Sequence, residues 1–128
     1  MYQLDKCIFV TNNDRAAAEF SDRAGKIILL ENYRAVLVQV RDLIYAGHKL
    51  LSHPQASSLK PNQTPYRTIL VYGEVGTVDF NDVSLIEKAI ETFDKWQEIR
   101  HTPVYNEKIA YDYKTIDLSM IENIIPKL

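Results

Sequence analysis

The order of apolar runs and helix-forming segments predicts an α/β fold: a single three-layer domain over residues 1–128 with a mostly parallel, Rossmann-like central sheet. Three observations carry this expectation. Two short apolar runs, CIFV at 7–10 and KIILL at 26–30, have the length and composition of strands buried on both faces. Each precedes a segment of helical character, so the chain reads strand–helix–strand–helix–strand, an order that right-handed crossovers assemble into parallel neighbours. The chain has 128 residues, 46% hydrophobic and 25% charged, enough for one buried core of ordinary soluble type.

The elements follow in order. Thr11-Asn12-Asn13-Asp14 closes the first strand with short polar side chains that can accept from the free amides of a helix start. DRAAAEFSDRA, 14–24, is alanine-rich and predicts a first helix with Gly25 as its stop. Asn32 is placed to cap a second helix over 33–46, where Val36, Val40, Leu43 and Ile44 share one face. Gly47 ends it, as the residue that takes a positive φ at least cost. HKLLS, 48–52, predicts a third strand, and RTILVY, 67–72, a fourth with good β composition. Ser84 and Glu87 have the S-x-x-E spacing of a capping box, opening a helix to about residue 98. Its apolar residues Leu85, Ile86, Ala89, Ile90, Phe93 and Trp96 keep helical spacing. After a linker at 101–106, KIAYDY at 108–113 reads as a possible edge strand, and Asp117 as the cap of a short last helix.

Between the third and fourth strands, 54–65 has neither helical nor strand period and carries Pro54, Pro61 and Pro65. Irregular connections of that length inside a compact domain are usually functional or disordered. The loop also lies within an acid-free window: from 43 to 73 there is no Asp or Glu, although Lys49, Lys60, Arg67, His48 and His53 fall inside it. Its positive groups therefore lack local anionic partners.

Net charge is −2, so the chain as a whole offers no electrostatic footprint for nucleic acid or an anionic membrane surface. No run approaches the roughly 20 apolar residues of a membrane span. Residues 1–6 are polar and the apolar run after them is too short for a signal sequence. Cys7 is the only cysteine, which precludes an intramolecular disulfide and fits a reducing compartment; a cytoplasmic location is expected.

In sheets of this class ligands bind outside the carboxyl ends of the strands. Asn12 and Asn13 follow the first strand, and Ser52-His53 the third, so parallel strands would bring both groups to one edge. The expected ligand-binding set is Asn12, Asn13, His48, His53, Ser58, Lys60, Asn62, Thr64, Tyr66 and Arg67. Hydroxyls, amides and cations of this kind suit a carboxylate or phosphate. No glycine-rich phosphate loop and no G-x-S-x-G elbow occurs, so no catalytic set is named. His48 and His53 are five apart, on opposite faces of a regular strand, and with Cys7 make no zinc spacing. Neither metal nor cofactor is expected. Trp96, Tyr105, Tyr111 and Tyr113 give the last third an aromatic bias that suits core or subunit packing.

Gly47-His48, Leu50-Leu51, His53-Pro54, Ser58, Lys60-Pro61-Asn62, Thr64-Pro65-Tyr66 and Arg67, together with TNN at 11–13, resemble the GrdX family. These are small proteins associated with the glycine, sarcosine and betaine reductase complexes of anaerobic amino-acid-fermenting bacteria. The resemblance implies an α/β domain of this length and carries no catalytic residues across. The chain departs from the family pattern at Asp14, Ser57 and Gln63, where proline, glycine and glutamate are usual. The expectation is an accessory protein that binds a small anion at the 53–67 loop. The alternatives are a module docking onto a reductase component, and a small enzyme using His53 as acid or base. A homodimer is the common default.

Overall fold

The computed structural model describes residues 2–55 and 59–128. Cys7–Thr11 forms β1, Asp14–Glu19 α1, Lys26–Leu29 β2, Tyr33–Tyr45 α2, His48–Leu50 β3 and Thr68–Val75 β4. Phe80–Ile99 forms α3 and Glu107–Ile124 α4, with single 3₁₀ turns at Leu4–Lys6 and Ile125–Lys127. The four strands lie in one open sheet in the order β2-β1-β4-β3.

The sheet departs from the expected mostly parallel, Rossmann-like arrangement. Only β1 and β2 pair in parallel; β4 runs antiparallel to both of its neighbours, β1 and β3. The reason lies in the connections. A parallel neighbour needs a crossover that carries the chain back to the starting rim. The β1–α1–β2 and β2–α2–β3 units supply one, but 51–67 contains no helix among its described residues. The chain therefore leaves β3 and enters β4 on the same rim. Since β1 and β3 both oppose β4, they point the same way.

Alternate residues of the buried strands face opposite sides. Ile8, Val10, Ile69 and Val71 pack with Val36, Val40 and Ile44 of α2 and Ile86, Ile90 and Phe93 of α3. Cys7, Phe9 and Leu70 face the other way, against Phe20 and against Leu118 and Ile121 of α4. All five residues of β1 are buried. β2, by contrast, is not the buried strand its composition predicts: it is the sheet edge, and Leu29 is 53% exposed.

Three local expectations change for identifiable reasons. α1 stops at Glu19 rather than Ala24, because fully buried Phe20 turns inward to meet Phe9, ring centroids 4.8 Å apart. Gly25 is needed for close approach instead: a Cβ there would meet the Asp5 carbonyl oxygen at 2.6 Å. α3 begins before the Ser84–Glu87 pair, with Asp79 as its cap accepting from Asn81 and Asp82 N–H, so Ser84 sits mid-helix. No C-terminal edge strand forms. Asn106 caps one continuous helix, α4, in which Asp117 is an interior, buried residue. Ala110, Tyr113, Asp117, Leu118 and Ile121 lie at helical spacing, and that periodicity outweighs the short alternation within KIAYDY.

Gly47 has φ 104° and ends α2 as the sequence predicts. No helix among the described residues is long and apolar enough to cross a membrane.

Candidate functional site

The rim where β1 and β3 end and β4 begins is built on side-chain hydrogen bonds. Thr11 and Thr68 face each other across the β1–β4 pair, their hydroxyls 2.7 Å apart. Asn13 caps α1 by accepting from Arg15 and Ala16 N–H, while its amide donates to the Lys114 carbonyl and to Asp117 Oδ2, each at 3.0 Å. Asp117, 4% exposed, completes the network: Oδ1 accepts from Thr68 N–H at 2.9 Å and Oδ2 from the Thr68 hydroxyl at 2.6 Å. Ser52 extends the β3–β4 ladder by accepting from Leu70 N–H at 2.9 Å.

Asn12 reaches across to the far end of the irregular loop. Its amide donates to the Pro65 carbonyl at 2.7 Å and its oxygen accepts from Arg67 N–H at 2.8 Å. Asn12 thus holds the loop's exit to the end of β1, while Asn13 ties the same strand end to α1 and α4.

The other predicted residues divide. His48 opens β3 opposite Val75, on the opposite rim about 23 Å along the strand from Thr68, and its Nδ1 lies 2.7 Å from the Tyr72 carbonyl. It does not join the set. His53 is exposed, and its Nδ1 accepts from Gln55 N–H at 3.0 Å, which puts any proton of the neutral ring on Nε2. Asn62 donates to the Trp96 and Arg100 carbonyls and so closes the C-terminal end of α3. Thr64 is buried and its hydroxyl bonds the Tyr66 backbone. Lys114 Nζ lies 5.4 Å from the Tyr66 ring centroid. Ser58 and Ser57 lie outside the described residues. Of the family departures that are described, Gln63 Oε1 accepts from Lys60 N–H at 2.7 Å, a bond a glutamate could equally accept. Asp14 pairs with Lys114 at 2.8 Å, which holds its carboxyl below the usual aspartate value.

Tertiary structure sorts the cations of the acid-free window. Lys49 recovers acids from α3: its ammonium lies 2.7 Å from Asp79 and 3.0 Å from Asp82, and these raise its pKa. Lys60 and Arg67 recover none among the described residues. Lys60 Nζ sits 4.7 Å over the Trp96 ring. Arg67 is 3% exposed, and its Nε and Nη2 donate to the Pro54 carbonyl at 3.1 and 2.8 Å. Its Nη1 has no partner among the described residues. Burying a charge without an anion carries a large desolvation penalty.

Arg67 lines two cavities. One of ≈ 10 Å³, about the room a single water needs, is shared with Asp117, whose oxygens are already committed to Thr68 and Asn13. The other, ≈ 200 Å³, lies between α2 and the loop and is walled by Tyr33, Leu37, Gln55, Lys60 and Arg67 among others, with no carboxylate. Tyr33 is 7% exposed; its hydroxyl donates to no described residue and is reached by solvent, since no fully buried side-chain nitrogen or oxygen among the described residues lacks a partner. Burial pushes its phenol up, while the Arg67 charge pulls it down and Asp117 pushes it up. Tyr33 also lines a larger cavity of ≈ 520 Å³ with Tyr66, Phe93, Tyr105 and Val104. The one cation there, Arg34, is held in a two-point pair by Asp94 at 2.8 and 3.0 Å.

Sequence reasoning missed Tyr33 and Asp117. Tyr33 precedes Val36 and Leu37 on an apolar helix face, where its spacing marks it only as core. Asp117 carried a capping signal, and it is the buried acceptor for a strand on another part of the chain. No group of His, Cys, Asp and Glu among the described residues is arranged to hold a metal ion.

Fold and rim together define a small α/β domain with a mixed open sheet and a cationic, acid-free chamber beside a buried arginine. The family model described as GrdX-like protein matches residues 8–126, nearly the whole chain, and the chain belongs to that family. No curated protein and no solved structure matches it.

Proposed function

We propose that this protein is an accessory component of glycine reductase-type amino-acid metabolism that binds a small carboxylate or phosphate in the ≈ 200 Å³ chamber. The supporting observation is Arg67: a buried guanidinium whose only hydrogen-bond partner among the described residues is a carbonyl, beside Lys60, in a cavity without carboxylates. An anion there would give Arg67 a directly paired countercharge, which Asp117 across the small shared cavity does not. It would accept charge-assisted hydrogen bonds from Arg67 and Lys60, with the Tyr33 hydroxyl as a third donor. The chamber is smaller than cavities that enclose drug-sized ligands, so a ligand of a few heavy atoms is the right scale.

Thermal unfolding with glycine, sarcosine, betaine, acetate, phosphate and acetyl phosphate tests the reading. Ligand at a hundred times its Kd stabilises by about 2.7 kcal/mol, a rise in Tm on the order of 10 °C for a chain of this size. The rise is expected in the native protein and absent in Arg67→Met. Millimolar anions that leave both melts unchanged would dispose of the idea.

A second reading, docking onto a reductase component, draws on fully exposed Val104 and on Ile99, 64% exposed, which flank the start of the α3–α4 linker. Pull-down of a purified reductase subunit, lost in Val104→Asp, would favour it.

A further inference from the structure

On the outer side of the loop lies a separate cavity of ≈ 410 Å³, walled by Lys60, Trp96, Arg100, Pro103, Tyr105 and Tyr113 among others. That volume falls within the range of small-molecule sites. Its aromatic wall is held in place: the Tyr105 and Tyr113 rings pack 4.9 Å apart, and the Tyr105 hydroxyl donates to the Gln63 carbonyl at 2.7 Å. Of the amides nearby, Asn62 Nδ2 donates to the Trp96 and Arg100 carbonyls and Gln63 Oε1 accepts from Lys60 N–H. The Tyr105 phenol is pushed up to about 12, first by burial and then by its hydrogen bond with Tyr113, so it adds no negative charge near neutral pH. No carboxylate lines the cavity, and neither Lys60 nor Arg100 has a salt-bridge partner among the described residues. Two available cations therefore stand beside three aromatic rings.

We propose that this cavity binds a planar aromatic ring carrying a phosphate, of mononucleotide size, with the ring against Trp96 and the tyrosine pair and the phosphate between Lys60 and Arg100. Lys60 exchanges its contact with the Trp96 ring for a charge-assisted bond to a phosphate oxygen, the stronger of the two interactions. Lys60 from the loop and Arg100 from the end of α3 can each take a different oxygen, a geometry that suits tetrahedral phosphate better than a flat carboxylate. Ring stacking on aromatic side chains adds affinity of its own. The site shares Lys60 with the inner chamber but does not use Arg67, and Arg100 belongs to it alone.

Trp96 is the only tryptophan, so its emission reports on this cavity directly. The native protein is titrated with adenosine monophosphate, phenyl phosphate, adenosine and inorganic phosphate. Adenosine monophosphate is expected to change the emission saturably, and phenyl phosphate, binding as well or more weakly, tells a nucleotide site from a general aryl phosphate site. Adenosine and inorganic phosphate should bind at least about tenfold more weakly than adenosine monophosphate, since each lacks one half of the recognition. Arg100→Ala and Lys60→Gln, both at exposed positions, should each weaken binding about tenfold, while Arg67→Met leaves it unchanged. Three results would overturn the proposal: inorganic phosphate saturating the signal at the same concentration as the nucleotide, no emission change with any probe at millimolar concentration, or loss of the response in Arg67→Met.

Discussion

Asn12 clasps the peptide that leads into Arg67: its oxygen takes the Arg67 N–H at 2.8 Å and its amide gives to the Pro65 carbonyl at 2.7 Å. One side chain after β1 thereby ties down the exit of a long irregular connection. Asn12→Ala removes both bonds and leaves a part-buried N–H without an acceptor, for which a loss of about 1–3 kcal/mol is expected. Urea denaturation measures it. The same variant should blunt any anion-induced rise in Tm, because the backbone that places the guanidinium is no longer latched.

Asp117 offers a sharper test of the rim. Asp117→Ala strips an acceptor from Thr68 N–H, the Thr68 hydroxyl and the Asn13 amide at once, all buried. The expected cost is about 3 kcal/mol or more, with Asp117→Asn losing less. A loss below about 1 kcal/mol for the alanine variant would mean that the network does not hold β4 to α4.

Arg67→Met separates charge from packing. The substitution leaves the Pro54 carbonyl short of a donor but removes a buried charge that has no carboxylate partner, and apolar replacements of buried ions are often tolerated. Without anions, the variant should unfold within about 1.5 kcal/mol of the native protein. A collapse in stability would assign Arg67 a purely structural role.

The acid limb of stability should follow the exposed ion pairs. Asp14 beside Lys114, Asp79 beside Lys49 and Asp94 beside Arg34 all have carboxyls held below the ordinary aspartate value of 3.8, in each case chiefly by the hydrogen bond from that cation. Lowered carboxyl values contribute stability above pH 3.8 that is lost as pH falls through the folded-state values. Lys49 and Lys114, raised above 10.5, contribute stability below that value and lose it as pH rises further. Denaturation midpoints should thus stay level across the neutral range and drop in acid. Because all three carboxylates are at least a third exposed, the drop should be modest and shrink in high salt. Asp94→Asn should flatten it; an unchanged acid limb in that variant would count against the pair.

Gly47→Ala tests the turn between α2 and β3. At φ 104° an alanine is strained, and its Cβ would lie 2.3 Å from the Gly76 carbonyl oxygen. A loss of at least about 1–3 kcal/mol is expected on backbone strain alone, read by thermal melting.

Much of this architecture is local and was legible as such. Asn13 and Asn32 cap α1 and α2, and Gly47 takes the positive φ. Of the faces that spacing marks, α2 and α3 bury Val36, Val40, Ile44, Ile86, Ala89, Ile90 and Phe93, while Leu43 and Leu85 are only partly buried and Trp96 lines the outer cavity. Propensity, capping and periodicity act over a few residues, so they leave a record in the chain. The C-terminal third was less legible because Asp117 satisfies a capping pattern while its real acceptor role involves Thr68, a residue far away in sequence.

The sequence by itself determined the family, the order of most elements, and an acid-free loop rich in hydrogen-bonding groups. Only the tertiary structure decided the direction of β4, because strand polarity depends on which rim the preceding connection returns to, and no residue type encodes that. It likewise decided which positive groups stay without a countercharge. Lys49 meets Asp79 and Asp82 from a helix more than two dozen residues on, whereas Lys60 and Arg67 meet an aromatic ring and a carbonyl. Neutralisation is set by distance in space, which composition along the chain does not contain.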